Sequence, residues 1–75
     1  MRNVKIVIGD MIRKRRIVLG LLQPQLASFA GVSTRTIQLV ELGTGNPSLD
    51  TLSKIADVLG LQVQLVLKDL PRNQN

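Results

Sequence analysis

Neither cysteine nor histidine occurs among the 75 residues of the chain. Disulfides and the usual zinc sites are therefore excluded, and we expect no metal and no cofactor. Phe29 is the only aromatic residue, which argues against a protein that stacks single-stranded nucleic acid on aromatic side chains. The five carboxylates do not cluster along the sequence, so we do not expect an enzyme.

Long apolar runs are missing as well. No stretch approaches the roughly 20 apolar residues of a membrane-spanning helix. The N-terminal residues contain neither the apolar region nor the small-residue cleavage site of a signal peptide. The sequence therefore predicts a cytoplasmic protein that has no membrane partner.

Charge and length narrow the class of protein further. Ten Lys and Arg against five Asp and Glu give a formal charge of +5 and an isoelectric point near 10.9. This balance favours an anionic partner such as nucleic acid, although a solvated basic surface would give the same numbers. We expect one small domain, residues 1–68, followed by a flexible tail, residues 69–75. Because such a domain buries only about 60% of its unfolded surface, we also expect self-association.

The N-terminal part predicts a basic helix whose start is ambiguous. Residues 3–8, NVKIVI, are rich in β-branched side chains and fit either a short strand or the beginning of a helix. From Gly9 onward the apolar spacing is helical, and Gly20 is expected to end the helix. The face that carries the apolar residues consists of Ile8, Ile12, Arg16 and Leu19.

Residues 23–43 predict two short helices joined by a tight turn. The turn is at residues 31–33, where Gly31 allows the reversal and Ser33 is a good N-cap for the next helix. That helix, residues 34–42, would expose Thr34, Arg35, Thr36 and Gln38. This is the shape of a helix-turn-helix, whose second helix lies in the major groove of DNA.

Two charged residues fall on the apolar faces of the predicted helices. Arg16 is on the face of the first helix, and Glu41 lies beside Ile37 and Val40 on the third. Because a buried charge without a partner is costly, we predict a partly buried ion pair between Arg16 and Glu41. The alternative is that each side chain is exposed at the edge of its helix.

The C-terminal third predicts a loop, a helix and a strand. Residues 43–47 are all turn formers, and Ser48 caps a fourth helix that ends at Gly60. The apolar stripe of this helix consists of Leu49, Leu52, Ile55, Ala56 and Leu59. Residues 61–68, LQVQLVLK, alternate with the period of a strand. A single strand needs a partner, either the same strand of a second chain or residues 4–8. The predicted partner-facing side chains are Leu61, Val63, Leu65 and Leu67.

The sequence resembles the Xre/Cro/cI family of helix-turn-helix regulators over about residues 8–61. The matching segments are GLLQPQLA at residues 20–27, AGVS at 30–33 and PSLDTL at 47–52, with Ile37, Glu41 and Gly43 between them. The resemblance implies a mainly α fold, a compact four-helix lambda-repressor-like domain. The strand after the fourth helix is similar to that of HipB-like antitoxins, which implies pairing of two C-terminal strands across a homodimer.

The resemblance also implies roles for individual residues. Gln23 stands where the family has a glutamine that binds a phosphate and braces the recognition helix. Ser33 stands at a cap that also contacts the DNA backbone. The positions that reach base edges or phosphates are Thr34, Arg35 and Thr36. Arg16 and Glu41 stand where phage repressors have a buried ion pair.

Three positions depart from the family pattern. Leu22 replaces the usual capping residue of the second helix, which removes one phosphate contact. Leu39 replaces a polar base-reading residue in some relatives, and we expect it to be exposed together with Leu42. Thr44 replaces a common Lys or Arg, so the loop keeps a DNA-binding position but loses a positive charge.

Together these features predict a sequence-specific repressor that binds double-stranded DNA at an inverted repeat as a homodimer. Arg35 is the best candidate for a bidentate contact to guanine, and Thr34, Thr36 and Gln38 would add hydrogen bonds or a thymine-methyl contact. One form of this repressor hypothesis is an antitoxin that represses its own operon and has a toxin as a second partner. The alternative is a protein-interaction module, or a phage or restriction-modification control protein without a toxin.

Overall fold

Four helices follow one another along residues 3–67, the part of the chain that the computed structural model describes. They are α1 (Val4–Val18), α2 (Gln23–Ala30), α3 (Thr34–Leu42) and α4 (Leu49–Leu59). The predicted four-helix, mainly α architecture is therefore confirmed. Within residues 3–67, no helix combines the length and the apolar character that crossing a bilayer requires.

Helix α1 begins at Val4, so the interpretation of residues 3–8 as a short strand is wrong. Asn3 is the N-cap, and its side-chain oxygen accepts a hydrogen bond of 2.8 Å from the backbone N–H of Lys5. An asparagine cap satisfies one of the free N–H groups at a helix start, which outweighs the weak strand preference of the β-branched residues. Gly9 therefore lies inside α1 and not at its beginning.

Gly9 allows α1 to pack directly on the C-terminal half of α3. A Cβ atom at this position would lie 2.8 Å from the backbone oxygen of Glu41 and closer still to that of Val40. Such distances are far below van der Waals contact, so only glycine permits this approach of the two helices. The close packing sets the position of α3 against the rest of the domain.

Serine caps and a left-handed glycine define the helix-turn-helix. Gly31 ends α2 with φ of +72°, a conformation that residues with a Cβ rarely adopt. Ser33 then accepts a hydrogen bond of 3.0 Å from the N–H of Thr36 and starts α3. Ser48 accepts an equivalent bond of 3.0 Å from Thr51 and starts α4. These local contacts explain why the boundaries of α3 and α4 agree with the sequence prediction.

Helix α2 lacks a side-chain acceptor at its N-cap, because Leu22 occupies that position. Gln25 compensates in part, since its side-chain oxygen accepts a hydrogen bond of 2.8 Å from the backbone N–H of Leu22. Pro24 in the first turn removes one N–H that would otherwise need a partner. The start of α2 is therefore defined without a capping hydroxyl or carboxylate.

The hydrophobic core receives side chains from all four helices. Its buried residues are Ile12, Leu26, Ala27, Ala30, Ile37, Val40, Leu52, Ile55, Ala56 and Leu59. Leu49 is exposed, so its assignment to the apolar stripe of α4 is wrong. It is the first residue of that helix, where the stripe has passed beyond the edge of the core. Phe29 is also exposed, although it lies beside the inner residues of α2.

The strand predicted over residues 61–68 is absent from residues 61–67, which have no regular secondary structure. Leu61 is half-buried and Val63 is partly covered, whereas Leu65 is 99% exposed and Leu67 is 96% exposed. The prediction fails within a single chain because residues 4–8, the intrachain partner considered, belong to α1. Lys68 and the predicted tail, residues 69–75, lie outside the described residues.

Candidate nucleic-acid interface

Helix α3 buries one face and presents the other to solvent. Ile37 and Val40 are buried against the core. On the outer side, Arg35 is exposed, and the partly exposed residues are Thr34, Thr36 and Gln38. The hydroxyl of Thr36 lies 2.9 Å from that of Ser33, so it is engaged at the start of the helix. Arg35 is therefore the charged group that α3 offers to a partner.

An ion pair joins α3 to α1. Arg16 Nε lies 2.6 Å from Glu41 Oε2, and Arg16 Nη2 donates to Glu41 Oε1 at 3.0 Å. The two side chains are 12% and 4% exposed, respectively. Arg16 Nη1 also donates to the backbone oxygen of Leu21 at 2.9 Å, which extends the contact to the segment before α2. The two guanidinium–carboxylate bonds form a bidentate pair, which is the strongest geometry of an Arg–carboxylate interaction.

The environment of this pair stabilises the charged form of Arg16. Its hydrogen bonds to Glu41 raise the pKa of the Arg16 guanidinium above its ordinary value, and the attraction of the carboxylate adds to that effect. Burial of the guanidinium acts in the opposite direction and lowers the pKa, but it is the smaller influence. Arg16 is therefore positively charged at every pH at which the protein would be studied.

Gln23 connects the start of α2 to the same carboxylate. Its Nε2 donates to Glu41 Oε1 at 3.1 Å. Glu41 thus receives hydrogen bonds from α1 and from α2, and its position on α3 is held from two directions. The amide nitrogen of Gln23 carries a second N–H, which this contact leaves for another acceptor.

A shallow concave surface lies beside these groups, and we call it the recognition groove. Its lining residues are Arg13, Gln23, Arg35, Gln38, Glu41 and Leu42. Arg13 therefore joins Arg35 on one surface. Lys14, the neighbouring cation, instead lies 3.5 Å from Asp10 in an i,i+4 ion pair on α1. Basic groups from two helices meet in this groove.

A second concave surface, the loop groove, lies between α3 and the start of α4. It is lined by Thr36, Leu39, Val40, Thr44, Gly45, Asn46, Pro47, Ser48 and Thr51. Leu39 is half-buried here and not exposed as expected, whereas Leu42 is exposed. The hydroxyl of Thr44 donates to the backbone oxygen of Leu39 at 3.3 Å and ties the loop to α3.

Two basic residues make contacts that the sequence patterns did not indicate. Lys5 Nζ donates to the backbone oxygen of Gly45 at 2.8 Å and to Asn46 Oδ1 at 2.5 Å. Arg15 donates from Nε to the backbone oxygen of Leu59 at 2.8 Å, near the end of α4. Both contacts join residues about 40 positions apart, which periodicity along the chain cannot reveal.

The sequence of the chain matches a known protein family. The family model described as helix-turn-helix matches residues 12–66. The chain belongs to this helix-turn-helix family. The family is a class of DNA-binding regulators and not of enzymes, so the resemblance to Xre-type proteins and the prediction that this domain is not an enzyme are confirmed.

Two relatives with similar sequences are named as transcriptional regulators of the helix-turn-helix type. The chain is 32% identical over 60 residues to the SPbeta prophage-derived HTH-type transcriptional regulator YonR of Bacillus subtilis, covering 80% of this chain and 56% of the relative. It is 32% identical over 68 residues to an HTH-type transcriptional regulator of Sinorhizobium medicae, covering 91% and 49%. The chain thus spans about half the length of these relatives.

A solved structure has the same fold. The clp gene regulator ClgR from Corynebacterium glutamicum superposes with a TM-score of 0.75 at 23% sequence identity. The match covers 81% of this helix-turn-helix chain and 65% of the other. At this identity the likeness concerns the arrangement of the helices.

Proposed function

We propose that this helix-turn-helix chain is a sequence-specific transcriptional repressor that acts in the cytoplasm on double-stranded DNA. One observation carries the proposal: α3 exposes Arg35, while Glu41, near the C-terminal end of the same helix, is bound by Arg16 and Gln23. A recognition helix has to be rigid to align donors with base edges, and these contacts hold it. The net charge of +5 favours attraction to the DNA backbone.

In this proposal α3 lies in the major groove with its N-terminal half towards the bases. Arg35 binds O6 and N7 of a guanine through two guanidinium N–H groups, the commonest specific contact of this kind. Thr34 and Gln38, both partly exposed, add hydrogen bonds to neighbouring base edges. Thr36 offers its methyl group to a thymine, since its hydroxyl is engaged with Ser33.

Phosphate contacts would surround these base contacts. Arg13 and Gln23 line the recognition groove beside Arg35, and Gln23 would use its second amide N–H for a phosphate. Ser33 and Thr44 lie at the two ends of α3, where hydroxyl groups can reach the DNA backbone. Contacts of this kind position the protein on the duplex, whereas the base contacts specify the sequence.

The repressor is proposed to act as a homodimer through its C-terminal segment. Leu65 and Leu67 expose nearly all of their surface, and residues 61–67 have no partner among the described residues that would make them a strand. Antiparallel pairing of this segment with that of a second chain would satisfy its backbone groups and cover both leucines. Two recognition helices about 34 Å apart would then read an inverted repeat.

The proposal is tested by selecting duplexes from a randomised pool and titrating the protein against the enriched sequence at fixed salt. The wild-type protein should bind it at least about 10³-fold more tightly than a scrambled duplex. Arg35→Ala should weaken binding by about 1–3 kcal/mol. Lys14→Ala is the matched control, because it removes one positive charge outside the recognition groove. Equal isotherms for the two variants would contradict the role of Arg35.

A second role as an antitoxin has its own supporting observation. Phe29 and Leu49 are large apolar side chains that lie exposed outside the recognition groove. Exposed apolar groups of this size suit contact with a partner protein such as a toxin. Co-expression with the product of the adjacent reading frame distinguishes the roles: a stable complex supports an antitoxin, and separate proteins support a repressor alone.

A further inference from the structure

The loop between α3 and α4 carries no charged side chain of its own. Its sequence, from Gly43 to Ser48, is GTGNPS. It forms one wall of the loop groove beside the recognition helix, and Ser48 at its end starts α4. A DNA backbone that followed this wall would meet hydroxyl groups and backbone amides, but no cation supplied by the loop.

Lys5 brings a cation to this loop from the other end of the chain. Its ammonium group donates hydrogen bonds to the oxygen of Gly45 and to the side chain of Asn46, at 2.8 and 2.5 Å. An ammonium group has three N–H donors, so these two bonds leave one for a further acceptor. The Lys5 side chain is exposed, and among residues 3–67 no carboxylate lies within ion-pairing distance of it.

The packing of α1 against the loop holds Lys5 in this place. A Cβ atom on Gly43 would lie 2.9 Å from the Cα of Ile6, so the first turn of α1 touches the end of α3. The Asn3 cap begins α1 early enough to include Lys5 in that turn. A cation is also favoured near the C-terminal end of a helix, and α3 ends at Leu42.

We infer that Lys5 is a phosphate-binding residue of the DNA interface, which the loop holds through Gly45 and Asn46 so that its ammonium group contacts the DNA backbone beside the recognition helix. This inference rests on the proposed function. Lys5 supplies the positive charge that this loop loses because position 44 is Thr and not the Lys or Arg common in the family. The residue belongs to the interface although it is separated from the helix-turn-helix by most of α1.

The salt dependence of binding tests this role, because each phosphate contact contributes about 0.9 to the slope of log Kobs against log [salt]. Lys5→Met keeps most of the apolar stem and removes the charge, and should make the slope less negative by about 0.9. The ratio of wild-type to variant affinity should therefore shrink about 3.5-fold between 50 and 200 mM salt, since 4 raised to the power 0.9 is about 3.5. Lys5→Arg should keep the wild-type slope.

Two further variants separate a phosphate contact from a structural role. Lys5→Met combined with Thr44→Lys returns a cation to the same loop and should restore the slope. Lys54→Met removes a charge that is paired with Asp50 on α4, at 3.2 Å, and should leave the slope unchanged. A weaker Lys5→Met variant with an unchanged slope would overturn the inference while the proposed function stands. A wild-type protein without salt-dependent, sequence-specific binding would instead contradict the proposed function.

Discussion

Removal of the Glu41 carboxylate should destabilise the domain more than any change to its surface. In Glu41→Ala, Arg16 loses its contacts of 2.6 and 3.0 Å and keeps only the backbone oxygen of Leu21 as an acceptor. Gln23 loses its acceptor at 3.1 Å. Since Arg16 is only 12% exposed, water replaces these partners poorly. The variant therefore leaves an incompletely compensated charge inside the protein.

The size of the effect follows from this burial. Breaking a buried ion pair from one side costs about 3–5 kcal/mol. A domain of this length has a total stability of roughly 4–11 kcal/mol, at about 0.05–0.15 kcal/mol per residue. At about 4 °C or more per kcal/mol, Tm should fall by at least about 12 °C. Glu41→Ala should therefore lose a large part of the domain's stability and unfold at a lower urea concentration than the wild-type protein.

Urea unfolding followed by circular dichroism measures the loss. The double variant Arg16→Met with Glu41→Leu should recover most of the stability, because apolar residues of similar volume need no charged partner. Lys54→Ala is the control: it breaks an exposed i,i+4 pair with Asp50 and should cost less than about 1 kcal/mol. A loss below about 1 kcal/mol for Glu41→Ala would refute the reasoning, as would a double variant no more stable than the single one.

Two further predictions concern packing and assembly. A Gly→Ala change in a helix interior normally stabilises a protein by about 1 kcal/mol, but Gly9→Ala should lower the urea midpoint because its Cβ would collide with the backbone of α3. The control Ser53→Ala, at an exposed position of α4, should change the midpoint little. A Gly9→Ala variant more stable than the wild-type protein would contradict the close packing. Leu65→Glu with Leu67→Glu should give a monomer in sedimentation experiments, and a persistent dimer would move the interface elsewhere; Val66→Glu, on the other side of the segment, is the control.

Short-range signals made most of the helix boundaries predictable. Ser33 and Ser48 each bond a backbone N–H three residues ahead, and Gly31 reverses the chain within its own turn. Such interactions depend only on neighbouring residues, so local sequence specifies them. Arg16 and Glu41 could be matched because each is a charge on an otherwise apolar face, and the structure brings their side chains together.

Long-range contacts were not predictable in the same way. Lys5 looks like an ordinary solvated cation in the sequence, and its bonds to the loop arise only when α1 packs on α3. Gly9 resembles a helix start, although its role is to allow that packing. Leu49 fits an apolar stripe by spacing but lies beyond the edge of the core. The alternation at residues 61–67 fits a strand, but residues 3–67 contain no second strand with which this segment could pair.

The base preference of Arg35→Ala tests the central claim most directly. Each base pair of the selected duplex is varied in turn, and the affinities of the wild-type protein and the variant are compared at fixed salt. Direct reading by Arg35 predicts that the variant loses about 1–3 kcal/mol of discrimination at one guanine position per half-site and keeps the wild-type preference elsewhere. A uniform loss of affinity with an unchanged preference at every position would contradict the assignment of α3 as the helix that reads the DNA sequence.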